Sequence, residues 1–345
     1  MSKYKTIAVV YGSDSSEWEV SCRSGEFVAS RIDGTQYDIY EIFARFGKWQ
    51  LVAAKKCNSM RVTFPEGARP EVDKTDFSVR VLGEKVNFDF VYVVQHGAPG
   101  ETGQLEGYLE MLGIPCSTCD SSVCSIVFDK YACKCYIREL GLAKCAPDVY
   151  VRHGMDHAEV DAEVKRKLKF PVFVKPTQGG SSFGVTRVTR FEDIGPAVQF
   201  AFSENHTVLI EQGVTGRELT CAAYFDGTKV ATLPLIEIVS ENDYFDYDAK
   251  YNGQVDEITP ARIAPETADR VARITSAIYD ILHCNGIIRI DYILTKNEDG
   301  TDKINMLEVN TTPGMTATSF IPQQVRAAGL NITDVLTEIV ENQFK

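Results

Sequence analysis

No stretch of this chain approaches the roughly 18 consecutive apolar residues that a membrane-spanning helix needs. Met1-Ser2-Lys3-Tyr4-Lys5 leads straight into an apolar strand, without the pattern of a secretory signal. Positive charge is in deficit. The 36 Lys and Arg face 48 Asp and Glu, a formal net charge of −12, which argues against nucleic acid or an anionic membrane surface as the main partner. Internal repeats and low-complexity tracts are missing, so solenoids and disordered tails are not expected. The G-x-x-x-x-G-K-[ST] phosphate loop is absent too. What remains is 345 residues, 44% apolar and 24% charged, enough for two or three domains with a substantial core. A cytoplasmic enzyme is the default expectation.

Cysteine, by contrast, is plentiful, with ten residues that include Cys116-x-x-Cys119 and Cys133-x-Cys135. A disulfide framework is not expected without a secretion signal. Zinc is disfavoured because 128–140 reads as a helix, on which residues two apart diverge. Buried, reduced thiols are the expectation; zinc and redox chemistry are the alternatives.

The most informative stretch runs from Arg289 to Thr316. Ile288-Arg289-Ile290-Asp291-Tyr292-Ile293-Leu294 alternates like a strand, and a polar turn spans 296–303. Ile304-Asn305-Met306-Leu307-Glu308-Val309-Asn310 then completes a predicted hairpin. Period two puts Arg289 and Asp291 on one face of the first strand, and Glu308 and Asn310 on one face of the second. Where those faces coincide, three oxygen-bearing side chains converge beside one guanidinium. Neighbouring carboxylates repel by a few kcal/mol at ~4 Å for an effective dielectric of about 20, so a cation is expected between them. Two carboxylates and an amide suit Mg²⁺, or Mn²⁺ in its place, with water and substrate phosphates completing the shell. Pro313-Gly314 then forces a tight turn whose N–H groups can face developing negative charge. The competing reading is a solvated edge hairpin. Four residues in phase, followed at once by Thr311-Thr312-Pro313-Gly314-Met315-Thr316, favour phosphate chemistry.

Upstream, 6–12 reads as a buried strand, and Ser13-Asp14-Ser15-Ser16-Glu17 opens a helix at its end, where open α/β sheets bind ligands. Glu17 there either receives an ammonium or merely complements the helix dipole. A strand over 37–43 follows, then weakly patterned short strands over 47–87. Another strand, 88–95, ends in the glycine-rich loop His96-Gly97-Ala98-Pro99-Gly100-Glu101-Thr102-Gly103; His96 at this junction is equally a ligand contact or a structural residue. Helices are predicted over 105–112, 128–140, 158–167, 265–284 and 332–344, and a short strand over 114–117. Lys175 ends a strand and is followed by Gly179-Gly180-Ser181-Ser182-Phe183-Gly184, whose N–H groups and hydroxyls can cradle phosphates while the lysine neutralises charge. An ordinary hairpin turn is the alternative. A hinge is expected between Glu211 and Glu218, and 240–260, long, aromatic and acidic, reads as a lid or a disordered loop.

In order along nearly the whole chain, these motifs resemble the ATP-grasp superfamily and, within it, the D-alanine–D-alanine ligases. They are E-W-E-V-S at 17–21, H-G-A-P-G-E-T-G at 96–103, F-D-K at 128–130 and V-K-P-T-Q-G-G-S-S-F-G at 174–184. E-Q-G-V-T-G-R-E at 211–218, D-Y-D-A-K-Y at 246–251, R-I-D at 289–291 and E-V-N-T-T-P-G-M-T at 308–316 continue the series. The resemblance implies an α/β fold, α+β in the ATP-grasp part, with three domains. These are a parallel-sheet substrate-binding domain over 1–119, a central subdomain with the phosphate loop over 120–211, and a C-terminal subdomain with lid, metal and oxyanion sites over 212–345. It implies ligation of two D-alanines through a D-alanyl phosphate, for peptidoglycan precursors, by a homodimer.

By residue, it implies that Lys130, Lys175 and Ser182 bind ATP phosphates, that Glu211 and Glu218 meet adenine and ribose, and that Lys250 reaches the γ-phosphate. Asp291, Glu308 and Asn310 would hold two Mg²⁺ ions. Glu17 would take the first ammonium, with His96 near its carboxylate. Arg289 and the Gly314 N–H would stabilise the oxyanion, Ser181 and Tyr251 would tie the loops together, and Ser319 would hold the second carboxylate. No general base for the attacking amine is evident. Departures from the pattern are Tyr11-Gly12 for paired glycines, Thr102 for an acid or amide, Gly179 for a frequent Glu, and Phe320 for leucine beside the acceptor. Tyr251 resembles dipeptide-forming members. D-serine as acceptor stays open, as do another carboxylate–amine ligation and a silent nucleotide-binding protein.

Overall fold

In the computed structural model, residues 4–180, 183–240 and 255–344 are described. The strand Lys5–Gly12, buried along almost its whole length, pairs in parallel with Tyr37–Arg45 and Phe90–Val93. Lys48–Lys55 and Val62–Thr63 extend the sheet antiparallel. A parallel sheet must be covered on both faces. One face receives the helix Trp18–Arg31 together with Ile321, Leu336 and Val340 from the chain's last helices. The other receives Leu105 and Leu109 of the helix Gln104–Leu112, with Val79 of a small three-stranded sheet and Phe77 of the turn leading into it. Gly113, at φ +69°, ends that helix in the left-handed region, where glycine is unstrained.

A second, four-stranded antiparallel sheet has the order Asp148–Arg152, Thr207–Gln212, Val172–Pro176, Thr186–Val188. The helices His157–Lys167 and Ile194–Phe202 cover it through Val164 and Val198, packed with Val149, Val174 and Ile210. A third, seven-stranded sheet is centred on Arg217–Phe225, Ile287–Lys296 and Asp302–Asn310, with the helix Pro265–Ile281 on its apolar face through Val271 and Ile278. That same core takes Val123, Val127, Cys133 and Ile137. The helices of 121–139 therefore bury their apolar faces against the C-terminal sheet, which the short strand Lys144–Cys145 also joins.

The helix expected over 128–140 forms as Lys130–Glu139, and a further helix that was not expected, Ser121–Phe128, precedes it. Asp129 leaves the helical region between them and its carboxylate accepts the N–H groups of Tyr131 and Ala132, an N-cap that starts the second helix. The short strand over 114–117 reduces to one parallel bridge between Val91 and Cys116. A strand, Val255–Ile258, stands where the end of the long loop was expected. Five of the ten cysteines are buried and five partly exposed. Among the described residues no three His, Cys, Asp or Glu side chains gather as a metal site, and no helix is long and apolar enough to cross a membrane.

Candidate active site

The hairpin forms in the register that sets Arg289 opposite Asn310 and Asp291 opposite Glu308, so all four side chains share one face. After Asp291 the register shifts, Tyr292 pairing with Met306 and leaving Leu307 as the extra residue. Bulges of this kind re-aim side chains beside active sites. Arg289 donates from Nε and Nη2 to the two oxygens of Asp291 at 2.9 and 2.8 Å, a bidentate charge-assisted pair. Burial disfavours the guanidinium's charge, but Asp291 outweighs it and holds its pKa above the usual arginine value. Asn310 Nδ2 lies 3.4 Å from Asp291 Oδ2. Lys130 Nζ lies 3.3 Å from Glu308 and donates to Gly179 O at 2.8 Å. The ring of Phe320 stands 5.5 Å from the Arg289 guanidinium carbon, within cation–π range.

Each carboxylate of this pair is thus already met by a protein cation, as their mutual repulsion requires. The donor set of two carboxylates and one amide is hard and oxygen-rich. It fits Mg²⁺, which keeps water and phosphate oxygens in its shell rather than demanding a full cage of side chains.

At the second sheet, Thr177 ties the strand carrying Lys175 to the start of the helix carrying Lys130. Its carbonyl accepts the Lys130 N–H at 2.8 Å and its hydroxyl donates to Asp129 at 2.9 Å. Lys175 pairs with Glu211 at 2.5 Å. Glu211 is only 4% exposed and is also bonded to Lys134. Burial works against its charge, yet Lys175 and Lys134 outweigh burial and hold the carboxyl down at about 2.

The third part of the site is built on the first sheet. A Cβ at Gly180 would come within 2.1 Å of Glu17 Oε2, so the missing side chain lets the glycine loop approach that carboxylate without displacing it. His96 is buried, with Nδ1 2.9 Å from Thr312 O and Nε2 3.1 Å from Ser24 Oγ. The carbonyl can only accept, so Nδ1 carries the proton and Nε2 accepts from Ser24. Burial lowers the pKa of this imidazole. Both ring nitrogens are therefore engaged by protein, and His96 acts here as a pin between the glycine-rich loop and the Thr311–Thr316 turn. Ser24 Oγ accepts the Met315 N–H at 3.2 Å. In the same turn Ser319 Oγ accepts the Thr316 N–H at 3.0 Å and lies 3.1 Å from where a Gly314 Cβ would stand.

Glu218 lies on the strand Arg217–Phe225, next to Ile238 and Ile293. Ser181, Ser182, Lys250 and Tyr251 lie outside the described residues. Two groups went unassigned in the sequence. Glu101 accepts the Gly97 N–H at 2.6 Å. Burial and then the like charge of Glu17 push its pKa up to about 7, against the Gly97 N–H, Thr312 and Arg289. Lys134, with Asp148, forms the other group; its signal was the spacing of Lys130, Lys134 and Arg138 along one helix face.

Comparison with known proteins agrees with this geometry. Residues 6–119 match the family model "D-ala D-ala ligase N-terminus" and 137–341 match "D-ala D-ala ligase C-terminus". The chain is 48% identical over 340 residues to a D-alanine–D-alanine ligase of Phocaeicola vulgatus, and 50% identical over 340 residues to one of Bacteroides fragilis, covering 99% of each chain in both cases. Among solved structures it is similar to the VanG D-Ala:D-Ser ligase of Enterococcus faecalis, with TM-score 0.84, 27% identity, and 99% and 100% of the two chains covered. The ATP complex of a Bacillus anthracis D-alanine–D-alanine ligase matches with TM-score 0.72 and 27% identity over 99% of this chain and 97% of that one. The chain belongs to the D-alanine–D-alanine ligase family, ATP-dependent ligases of the ATP-grasp fold.

Proposed function

We propose that this chain joins two D-alanines into D-alanyl-D-alanine, with ATP converted to ADP and phosphate. The observation that carries the reading is the strand register that sets Asp291 opposite Glu308 and Arg289 opposite Asn310, with Lys130 against Glu308. A carboxylate is a poor electrophile. The first D-alanine therefore takes the γ-phosphoryl group to become an acyl phosphate. The amine of the second attacks the carbonyl, loses a proton, and phosphate departs from the tetrahedral intermediate.

Asp291, Glu308 and Asn310 would hold two Mg²⁺ ions, or Mn²⁺ in their place, which when bound offset charge on the transferring phosphoryl group. Lys130 and Lys175, with Ser182 and Lys250, bind the phosphates. Glu211 and Glu218 face adenine and ribose. Glu17 receives the first ammonium, beside the His96 pin. Arg289 and the Gly314 N–H meet the oxyanion; losing one such donor costs roughly 10²–10³ in rate. Ser319 and Phe320 shape the acceptor site, and Ser181 and Tyr251 draw the loops over an intermediate that water would destroy. Three units, 1–119, 120–211 and 212–345, a homodimer, a cytoplasmic location and a role in peptidoglycan precursor synthesis complete the proposal.

A D-serine acceptor is the second reading, motivated by the contact of Phe320 with Arg289 and by the likeness to a D-Ala:D-Ser ligase. The test is phosphate release from ATP and Mg²⁺ with D-alanine, L-alanine, D-serine or D-lactate, with product masses read in parallel. Phosphate and a D-alanyl-D-alanine mass from D-alanine alone are expected. A mixed D-alanyl-D-serine mass exceeding it would favour the second reading, and neither product with any D-amino acid would overturn both.

A further inference from the structure

The helix Lys130–Glu139 places cations at three successive turns: Lys130, Lys134 and Arg138. Lys134 is 0% exposed, a rare setting for an ammonium. Beside it, Asp148 and Glu211 stand directly opposite one another on adjacent antiparallel strands, where like charges repel. Lys134 separates them, with Nζ 2.7 Å from Asp148 and bonded to Glu211. Arg138 forks onto both oxygens of Asp148, sharing Oδ2 with Lys134, while Lys175 meets the Glu211 oxygen that Lys134 does not. The row alternates: Arg138, Asp148, Lys134, Glu211, Lys175. Three positive and two negative charges leave a net +1, and Lys175, on the strand Val172–Pro176, is the cation at one end of the row.

We propose that Lys134 is a positioning residue for nucleotide binding: it keeps Glu211 ionised and in place while Lys175 leaves it for the nucleotide's phosphates. The four groups left behind are neutral in sum, so no buried carboxylate is stranded when Lys175 moves. Lysine suits the exchange because its ammonium is a point charge on a flexible stem, without the fixed fork of arginine. The other titratable groups facing this row are Cys145, towards Lys134, Arg138, Glu211 and Asp148; Cys133, towards Lys134; Tyr131, towards Asp148 and Arg138; Cys135, towards Arg138; and Glu308, towards Lys175. This inference rests on the reading of Lys175 as a phosphate ligand.

Without Lys134, Glu211 would have Lys175 alone. Nucleotide phosphates would then compete with a buried carboxylate for that lysine, and drawing it away would leave Glu211 to take up a proton. Binding would therefore strengthen as pH falls and weaken as pH rises. With Lys134 present, Glu211 stays ionised in both states and binding is flat near neutrality.

The experiment is calorimetric titration of the full chain with Mg·ATP and with adenosine, from pH 5.5 to 8.5, in buffers of differing ionisation enthalpy. The proteins are wild type, Lys134→Met and Asp148→Asn. Lys134→Met is expected to weaken ATP by about tenfold at pH 8, weaken adenosine less, and take up a proton on binding ATP. Asp148→Asn should move ATP affinity the other way, tighter by about twofold to threefold, because Lys134 then serves Glu211 alone. Arg138, left by Asp148, is one-third exposed and tolerates the loss. Opposite signs from neighbours in one row are not what a general packing defect gives. The inference is overturned if Asp148→Asn weakens ATP, or if a folded Lys134→Met binds ATP as wild type does or loses ATP and adenosine equally without proton uptake. Where Lys134→Met does not fold, the sign of the Asp148→Asn shift decides. A wild type that binds no ATP would overturn instead the nucleotide reading on which the inference stands.

Discussion

Glu211 and Glu101 carry the same carboxyl group in two parts of one site, and their acidities lie on opposite sides of the ordinary glutamate value, at about 2 and about 7. Burial pushes both upward. What separates them is the partner. Glu211 faces two ammonium groups on separate elements, Lys134 on a helix and Lys175 on a strand. Glu101 faces the carboxylate of Glu17 and has a backbone N–H and Thr312 for support. One end of the site thus presents fixed charges, those proposed to bind and exchange the nucleotide's anions. The other presents a carboxyl able to gain or lose a proton near neutrality, beside the carboxylate proposed to receive an ammonium. Burial alone predicts neither behaviour; the nearest charge decides it.

Replacing Glu211 by Gln should produce the largest effect. Lys134 and Lys175 would lose their shared counter-ion in a buried setting, an arrangement worth about 3 kcal/mol, and kcat/KM should fall by about 10²-fold. Denaturant unfolding and steady-state kinetics check the two parts. A variant as stable as wild type would show that the lysines find other partners, and the contrast with Glu101 would collapse.

The pH dependence of stability sharpens the comparison next. The folded-state pKa of Glu211 is depressed, so its contribution is fully present above the unfolded value near 4.5 and is lost as pH falls towards about 2. An acid limb in melting temperature should appear over that window in wild type and shrink in Glu211→Gln. Glu101 has the opposite sign. Its folded pKa is raised, so the folded state binds the proton more tightly and stability falls as pH rises from about 4.5 through about 7. Glu101→Gln should therefore be more stable than wild type at pH 8, by up to about 3 kcal/mol, and close to it at pH 4. Equal melting temperatures at pH 8 would mean that burying Glu101 costs its ionised form nothing, and the contrast with Glu211 would fail.

Much of this was legible in the residues, for identifiable reasons. The hairpin carrying Arg289, Asp291, Glu308 and Asn310 showed because period two is a strong local signal and the polar turn between its strands is short. Lys175 showed because glycines follow it. Asp129 was read as the second residue of the helix over 128–140, because apolar Phe128 precedes it; the backbone shows that it caps that helix instead. Lys134 showed only as a position spaced with Lys130 and Arg138 along one helix face, which does not reveal its burial. A lysine on a helix reads as a solvated charge until the strands bringing Asp148 and Glu211 together are known, and that pairing joins residues far apart in the chain. The bulge at Leu307 depends likewise on the partner strand.

The smallest expected effect tests the comparison from outside the site. Glu237 is as buried as Glu211, at 4%, and also has two cationic partners, Arg217 and Arg262. Burial opposes its charge, and the two arginines still lower its pKa. Those arginine side chains, however, are 43% and 60% exposed, against 1% and 15% for Lys134 and Lys175. Water can solvate both guanidinium groups once the carboxylate is gone, and salt screens the attraction while it lasts. Glu237→Gln should therefore cost only about 1 kcal/mol, the loss should shrink further at high ionic strength, and ATP affinity should not move. The same unfolding measurement on both variants at low and high salt makes the check. If Glu237→Gln proves as costly as Glu211→Gln, and as insensitive to salt, then enclosure of the carboxylate governs these clusters and enclosure of its partners does not.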